Sequence, residues 1–421
     1  MKKVGKIIEP KYVEREYTIN NFIENTSDSQ NLFVSKDKLQ TWAYYKNTDI
    51  YRPGSTQILK ITVIDGKIYA YCDDFSFYSR EQSGWVKLAD CDKEPIIIKS
   101  KIDGQDYLVL SAKENENCVL ITQTGEIISS SIPSGKAMVN YKGMLFVANQ
   151  NTLKFSALLN EDDFNLSAYA GGQLKTDSCD GDILELIPEQ DALVIVCQKA
   201  IYRLVAVGER QDYKLERENL EVYVLEGTVK KYLDGIYFSN GQKIFKYTKG
   251  HVVKVKIGID ISKYRFIKGV SIVDNVICFC LREKSVNSQR ILVIDPIENK
   301  QSIMPAYLPI LGDDGYFFEI NKLKKIEIDG SEKSSFVWES KVLDFGTNLK
   351  KALLRVSVDC SVPVKLSVQS NYSTTILEFD EGCTFQRVNL PGFSYKISLS
   401  GKSAYASVSS IRLVYRIKED M

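Results

Sequence analysis

Three observations predict an all-β protein, a β-propeller followed by a C-terminal β-sandwich. Short apolar runs recur in groups between residues 55 and 330, separated by tight polar turns. No stretch sustains a 3.6-residue apolar period, so helices are expected to be few and short. Beyond a polar linker near residue 330, closely spaced strands alternate apolar and polar residues, the density of a sandwich.

The elements follow in chain order. Residues 1–54 are polar and loop-like around VEREYTINNFIENTSDSQNLF and end in the turn Tyr51-Arg52-Pro53-Gly54. They are expected to form an arm that closes the ring or reaches a neighbour. Residues 55–330 hold about six or seven strand-and-turn units. The clearest runs from Lys136 to Val205, where MLFVAN and ALVIVC each sit between a weaker strand and a closing one, LKFSAL or IYRLVAV. Asp65-Gly66, Asp103-Gly104, Asp234-Gly235 and Asn240-Gly241 supply residue pairs that tolerate the positive φ of hairpin turns. No Trp-Asp or double-glycine repeat signature recurs, so the blade number stays open by one or two. After the linker Gly330-Ser331-Glu332-Lys333-Ser334-Ser335, residues 331–421 contain about seven short strands; in RVSVDC and KLSVQS the Val residues share one face, as in a sheet packed on one side.

Composition narrows the function. At 421 residues, 44% hydrophobic and 26% charged, the chain has the make-up of a globular protein with a large core. Its net charge of +1 removes any argument for bulk attraction to nucleic acid or acidic membranes. No apolar run approaches the ~20 residues that span a bilayer, and MKKVGKIIEPKYVERE lacks the apolar core of a leader. The expectation is therefore no membrane insertion and synthesis in a cytoplasm. Nine cysteines without pairing rhythm read as free buried thiols in a reducing compartment. Cys278 and Cys280 share a strand face, but a chain with one His offers no second half for a zinc site.

No catalytic residues, metal or cofactor are predicted. His251 follows a Lys-Gly turn with no nucleophile signature nearby, and no phosphate-binding glycine loop occurs. Glu161, Asp162, Asp163, Asp177, Asp180 and Asp182 match no calcium-loop spacing and read as turn formers; a structural ion and a glycosidase pair are the weaker alternatives.

One region carries a resemblance. Ala148-Asn149, Phe155-Ser156, Asp162-Asp163-Phe164, Gly171-Gly172, Asp180-Gly181-Asp182 and Ala200-Ile201-Tyr202-Arg203-Leu204 follow one another in an order similar to virion proteins of short-tailed bacteriophages, the packaged-DNA stabilisation or tail hub and nozzle proteins. FVWESKVLDFG near the C-terminal boundary resembles them too. The similarity is most specific over residues 130–250 and weak in the first hundred. It implies a structural virion protein of the tail, assembled in the host cytoplasm into a homo-oligomeric ring below the portal. Such a ring helps close the DNA channel, touches other portal and tail proteins, and meets packaged DNA transiently and without sequence preference. A resemblance of this kind is associational. The alternative reading is a carbohydrate- or receptor-binding adhesion module carried on a propeller platform.

Two sets of residues are candidates for those contacts. Lys243, Lys246, Lys249, Lys254 and Lys256 are the one basic concentration, with Lys254 and Lys256 expected on one strand face as DNA-channel residues; an ordinary exposed sheet face is the competing reading. Tyr44, Tyr45 and Trp85, among aromatics with polar neighbours, are candidates for a protein interface, and Trp338 for an anchor joining the sandwich to the propeller.

Overall fold

A computed structural model describes residues 12–41, 45–165, 171–205, 213–220, 222–233, 235–286, 288–326, 334–403 and 405–418. Six four-stranded antiparallel sheets and one four-stranded antiparallel meander, itself part of a larger sheet, follow one another as blades. Blade 1 comprises Ile58–Ile64, Lys67–Cys72, Ser76–Glu81 and Gly84–Asp90; blade 2, Ile96–Ile102, Gln105–Ser111, Val119–Ile121 and Ile127–Ser129; blade 3, Ala137–Tyr141, Met144–Asn149, Thr152–Phe155 and Gly172–Lys175. Blade 4 comprises Ile183–Pro188, Leu193–Cys197, Ala200–Val205 and Lys214–Asn219; blade 5, Lys230–Tyr232, Gly235–Ser239, Ile244–Thr248 and His251–Lys254; blade 6, Tyr264–Val273, Val276–Glu283, Gln289–Asp295 and Lys300–Ala306. Blade 7 takes Ile310–Leu311, Tyr316–Glu319 and Lys322–Ile326 from one part of the chain and its outermost strand, Tyr45–Tyr51, from another. The first strand of blade 7 lies against that of blade 1, so the ring is closed. The chain is a seven-bladed β-propeller with further β structure attached.

Burial on both faces explains the continuous apolar runs. In blade 4, Leu193, Ile195 and Cys197 point into the seam with blade 3, while Val194 and Val196 point into the seam with blade 5. Blade 6 repeats the device: Cys278 and Cys280 face blade 7, and Ile277, Phe279 and Leu281 face the opposite way. A strand buried on both sides has no reason to alternate with polar residues. The tight turns are set by backbone sterics: Asp65 and Gly66 both have positive φ (49° and 76°), as do Asp103 and Gly104 (48° and 77°), the requirement of a type I′ hairpin. Asn240-Gly241 works differently. It opens a longer loop in which Asn240 Oδ1 accepts from the backbone N–H groups of Gln242 and Lys243.

The polar N-terminal segment has two separate jobs. Only Tyr45–Tyr51 closes the ring, by pairing with Lys322–Ile326. The earlier residues complete the C-terminal β structure, so residues 331–421 are not a self-contained domain. In one layer the order is Thr374–Phe379, Val364–Ser370, Tyr395–Ser403, Ser334–Ser340 and then Thr26–Gln30. In the other, Gly382–Gly392, Lys351–Cys360 and Ser407–Lys418 are extended by Tyr12–Ile19, which pairs from Tyr12 opposite Lys418 to Ile19 opposite Ile411. Leu353, Val356, Val358, Leu366, Val368, Ile397, Leu399, Ile411 and Leu413 from the two layers are buried in one cluster with Phe22 and Trp338. That cluster runs on into blades 5 and 6. Thr26–Gln30 and Leu32–Val34 also pair with the outer strand of blade 6, covering an edge that would otherwise be an open template for strand pairing. Of the sequence linker, residues 330–333 lie outside the described residues, and Ser334 and Ser335 already belong to a strand.

Candidate functional site

The residues converging on the propeller axis come mainly from the first strand of each blade or the segments flanking it. They line an open cavity of about 420 Å³ to which all seven blades contribute. Four ammonium groups (Lys60, Lys136, Lys230, Lys268) and four carboxylates (Glu94, Glu185, Glu226, Asp313) line it. Lys60 Nζ stands 3.1 Å from Glu94 and also donates to Pro95 O at 3.0 Å. Lys268 of blade 6 bonds the second oxygen of Glu94. Lys230 of blade 5 pairs with Asp313 of blade 7 at 2.8 Å.

These pairs decide the protonation of the cavity. Burial by itself raises the Glu94 carboxyl, but the ammonium groups of Lys60 and Lys268 override it and hold it below the usual carboxylate range. Burial likewise disfavours the Lys230 ammonium, yet Asp313 and Glu185 carry it above the ordinary lysine value. Glu185 behaves in the opposite sense: it sits where the pairing of Ile183–Pro188 shifts register, and burial raises its carboxyl against the pull of Lys230 and Lys60. Ion pairs cross-link blades 1, 2 and 6 through Glu94, and blades 5 and 7 through Lys230 and Asp313. A small cavity bridged by ion pairs is a brace for the ring, with no room for a nucleic-acid strand.

The five candidate lysines lie elsewhere. All belong to the outer half of blade 5 or the chain just beyond it, away from the axis. They do not form one face. Cross-strand pairing puts Lys254 beside Phe245 and Lys246 beside Val253, so their side chains leave opposite sides of the sheet. Lys246 Nζ lies 5.7 Å from the centre of the Tyr237 ring. The blade 5 strand ends at Lys254, so alternation no longer governs Lys256. Lys243, Lys249, Lys254 and Lys256 are exposed on the rim of the blade.

The aromatic candidates separate in the same way. Tyr44 lies outside the described residues, and Tyr45 begins the ring-closing strand. Trp85 is half-buried in the seam between blades 7 and 1, where its Nε1 donates to Tyr51 O at 2.6 Å. Its indole is used to close the ring. Trp338 is completely buried, donating to Thr26 Oγ1 at 2.7 Å and meeting Phe22 edge-on at 5.6 Å. It has no surface to offer another protein, and it ties the N-terminal segment to the C-terminal layers.

Among the acidic turn residues, Asp180 differs from the solvated-turn reading. It is only 2% exposed and accepts from Tyr202 Oη at 2.5 Å and from Arg217 Nε and Nη2 at 2.7 and 2.5 Å. The hydrogen bonds from Arg217 hold its carboxyl below the usual range. Tyr202 Oη in turn accepts from the Asp177 N–H. Three other residues of the resemblance also join neighbouring segments of blade 3. Ser156 Oγ accepts from the Leu145 N–H and donates to Ala157 O; Asp163 O accepts from the Ala157 N–H; a Cβ on Gly171 would lie 2.5 Å from Phe155 O. Sequence reasoning missed the axial ions because each stands alone in its own unit and converges with the rest only after the ring closes. Lys351 was equally hidden: it is buried in the C-terminal layers, its Nζ donating to Thr347 O, Leu349 O and Phe393 O.

Among the described residues no group of three or more His, Cys, Asp and Glu side chains converges as metal ligands do, and no helix is long and apolar enough to cross a membrane. No family model matches the chain, and no curated protein does. Solved structures are similar in fold at low identity. The computationally designed Ika8 protein is 9% identical, with 68% of this chain and all of that one covered and a TM-score of 0.39. The Pan2 WD40 domain of Neurospora crassa is 10% identical over 68% of this chain and 95% of its own, with a TM-score of 0.41. BBS1N, solved in complex with ARL6DN, is 11% identical over 76% of this chain and 98% of its own, with a TM-score of 0.38.

Proposed function

We propose that this chain is an architectural subunit of a bacteriophage tail, one copy of a homo-oligomeric ring beneath the portal whose walls help to close the DNA channel. The observation that carries this reading is the use made of the residues behind the resemblance. Ser156, Asp163, Gly171, Asp180 and Tyr202 are all spent on joining strands within blades 3 and 4. A motif that builds a blade belongs to a protein selected for shape. The ion-paired axis and the stitched termini suit the same role, since a wall subunit must resist deformation without unfolding. The channel would run between subunits, outside each propeller, where Lys243, Lys249, Lys254 and Lys256 on the rim of blade 5 offer salt-sensitive phosphate contacts without base readout.

Native mass spectrometry of the purified protein, alone and after incubation with virion extract, tests this. A closed oligomer, or incorporation into tail assemblies, is the expected result; a strict monomer that is absent from particles overturns it. A second reading has one observation in its favour. Tyr372 and Phe393 lie on adjoining loops of the C-terminal layers, both exposed, with ring centres 6.1 Å apart and Lys350 over Tyr372. Such a patch suits adhesion to a carbohydrate or receptor.

A further inference from the structure

The seam between blades 1 and 2 is not closed as that between blades 3 and 4 is. Between blades 3 and 4 the rings of Tyr141, Phe146, Phe155 and Tyr213 form a continuous row, with centres 5.4 to 6.2 Å apart. Between blades 1 and 2 the buried cluster around Tyr69, Phe77, Leu110 and Ile121 stops short of the rim. The cause is local: the two outer strands of blade 2, Val119–Ile121 and Ile127–Ser129, have only three residues each. A groove of about 590 Å³ remains, with a floor of Ile64, Val86, Leu88, Leu108 and Ile121.

Three features describe what fits there. The floor continues outward, because pairing sets Ile127 opposite Ile121 on the same face, and Ile127 is 46% exposed. The groove mouth carries more negative than positive charge. Lys67 is matched by Glu81 at 2.5 Å, but Lys99 is shared by Asp65 at 2.9 Å and Asp106 at 3.8 Å. Finally, Ile127–Ser129 is the outermost strand of its sheet, exposed at all three residues and paired on one side only among the described residues.

We propose that this groove docks an extended peptide segment of a partner protein, which adds as a strand along Ile127–Ser129, inserts alternate apolar side chains over the floor and places a lysine or arginine at Asp106. An extended segment fits because its side chains alternate at the period of the floor while its backbone meets an open edge. The excess carboxylate selects a cation. This site is independent of the tail reading, since it requires only the geometry of blades 1 and 2.

The test uses the full chain and a fluorescein-labelled peptide of about nine residues, with valine at alternate positions and threonine and lysine between them, followed by fluorescence anisotropy. A matched peptide carries glutamate for lysine, and another is N-methylated on the edge facing the protein. The lysine peptide is expected to bind and to protect the amides of Ile127–Ser129 from hydrogen exchange. Leu88→Glu, which puts a charge in the floor, is expected to weaken binding at least tenfold. Asp106→Lys is expected to weaken it severalfold for the lysine peptide and to strengthen it for the glutamate one. Asp106 is exposed, so this second variant keeps the test valid if Leu88→Glu fails to fold. Equal binding of the lysine, glutamate and N-methylated peptides, or indifference to Asp106→Lys, overturns the proposal, as does absence of binding.

Discussion

Trp338 is the place to test how the two ends of the chain are held together. Its strand, Ser334–Ser340, lies between Thr26–Gln30 and Tyr395–Ser403, so its indole is packed where the N-terminal segment meets the C-terminal layers. Trp338→Phe deletes the hydrogen bond to Thr26 Oγ1, a cost of about 1 kcal/mol, and leaves a small void costing roughly 1 kcal/mol more. Thr26 Oγ1 still donates to Phe22 O at 2.6 Å, so the hydroxyl is not orphaned and the penalty stays moderate. A loss of about 2 kcal/mol corresponds to about a thirtyfold faster opening-limited exchange. Trp338→Ala, which also gives up the edge-on contact with Phe22, should cost about 4 kcal/mol. Native-state hydrogen exchange read by mass spectrometry resolves the segments. The expected pattern is lost protection in Thr26–Gln30 and Tyr395–Ser403 with blades 1 to 4 unchanged. Unchanged exchange in Thr26–Gln30 for the Ala variant would show that this indole does not hold the N-terminal segment.

Other outcomes follow from the same contacts. Asp180→Asn should lower the melting temperature at neutral pH. Because the folded carboxyl titrates below its unfolded value of about 3.9, its stabilisation is present above that pH and is lost as pH falls through the folded value, so the gap between wild type and variant in thermal melts should close on acidification. A thiol reagent should label Cys179 and Cys383 quickly in the native protein and the seven buried cysteines only on unfolding; rapid labelling of Cys278 or Cys280 would show that the seam between blades 6 and 7 is open. Deleting residues 45–51 removes the outermost strand of blade 7, and with it the acceptor of the Trp85 indole N–H. Limited proteolysis should then cut first in blades 7 and 1; resistance equal to wild type would refute ring closure by this strand.

The legibility of the sequence followed the range of the interactions involved. Asp65-Gly66 and Asp103-Gly104 announced their hairpins because a two-residue turn is decided by the two residues in it. LVIVC in blade 4 announced a strand because its apolar run is written along the strand itself, while the burial of both faces came only with the neighbouring blades. The seven blades agree with the six or seven units expected from such signals. Pairings between distant parts of the chain were hidden: nothing in YVEREYTI marks it as the partner of Ser407–Lys418, since register across so long a separation is fixed by shape. The site residues failed for a related reason. Lys254 and Lys256 were placed on one face by alternation, but the strand stops between them. Trp338 was expected to join the sandwich to the propeller, whereas its hydrogen bond and ring contact secure the helix and strand at Phe22–Gln30. Asp180 looked like a turn former because a buried carboxylate is recognisable only once Tyr202 and Arg217 are seen around it.

The proposed role of the propeller is that of a wall in a larger ring. Electron cryomicroscopy of intact particles, reconstructed around the tail just below the portal, examines it directly. The account predicts repeated disc-like densities, each with seven spokes and an attached two-layered lobe, arranged around an open channel that passes between the discs. A tail reconstruction with no such disc, or a channel threading the seven-bladed axis where Lys60, Glu94 and Lys268 meet, would contradict it.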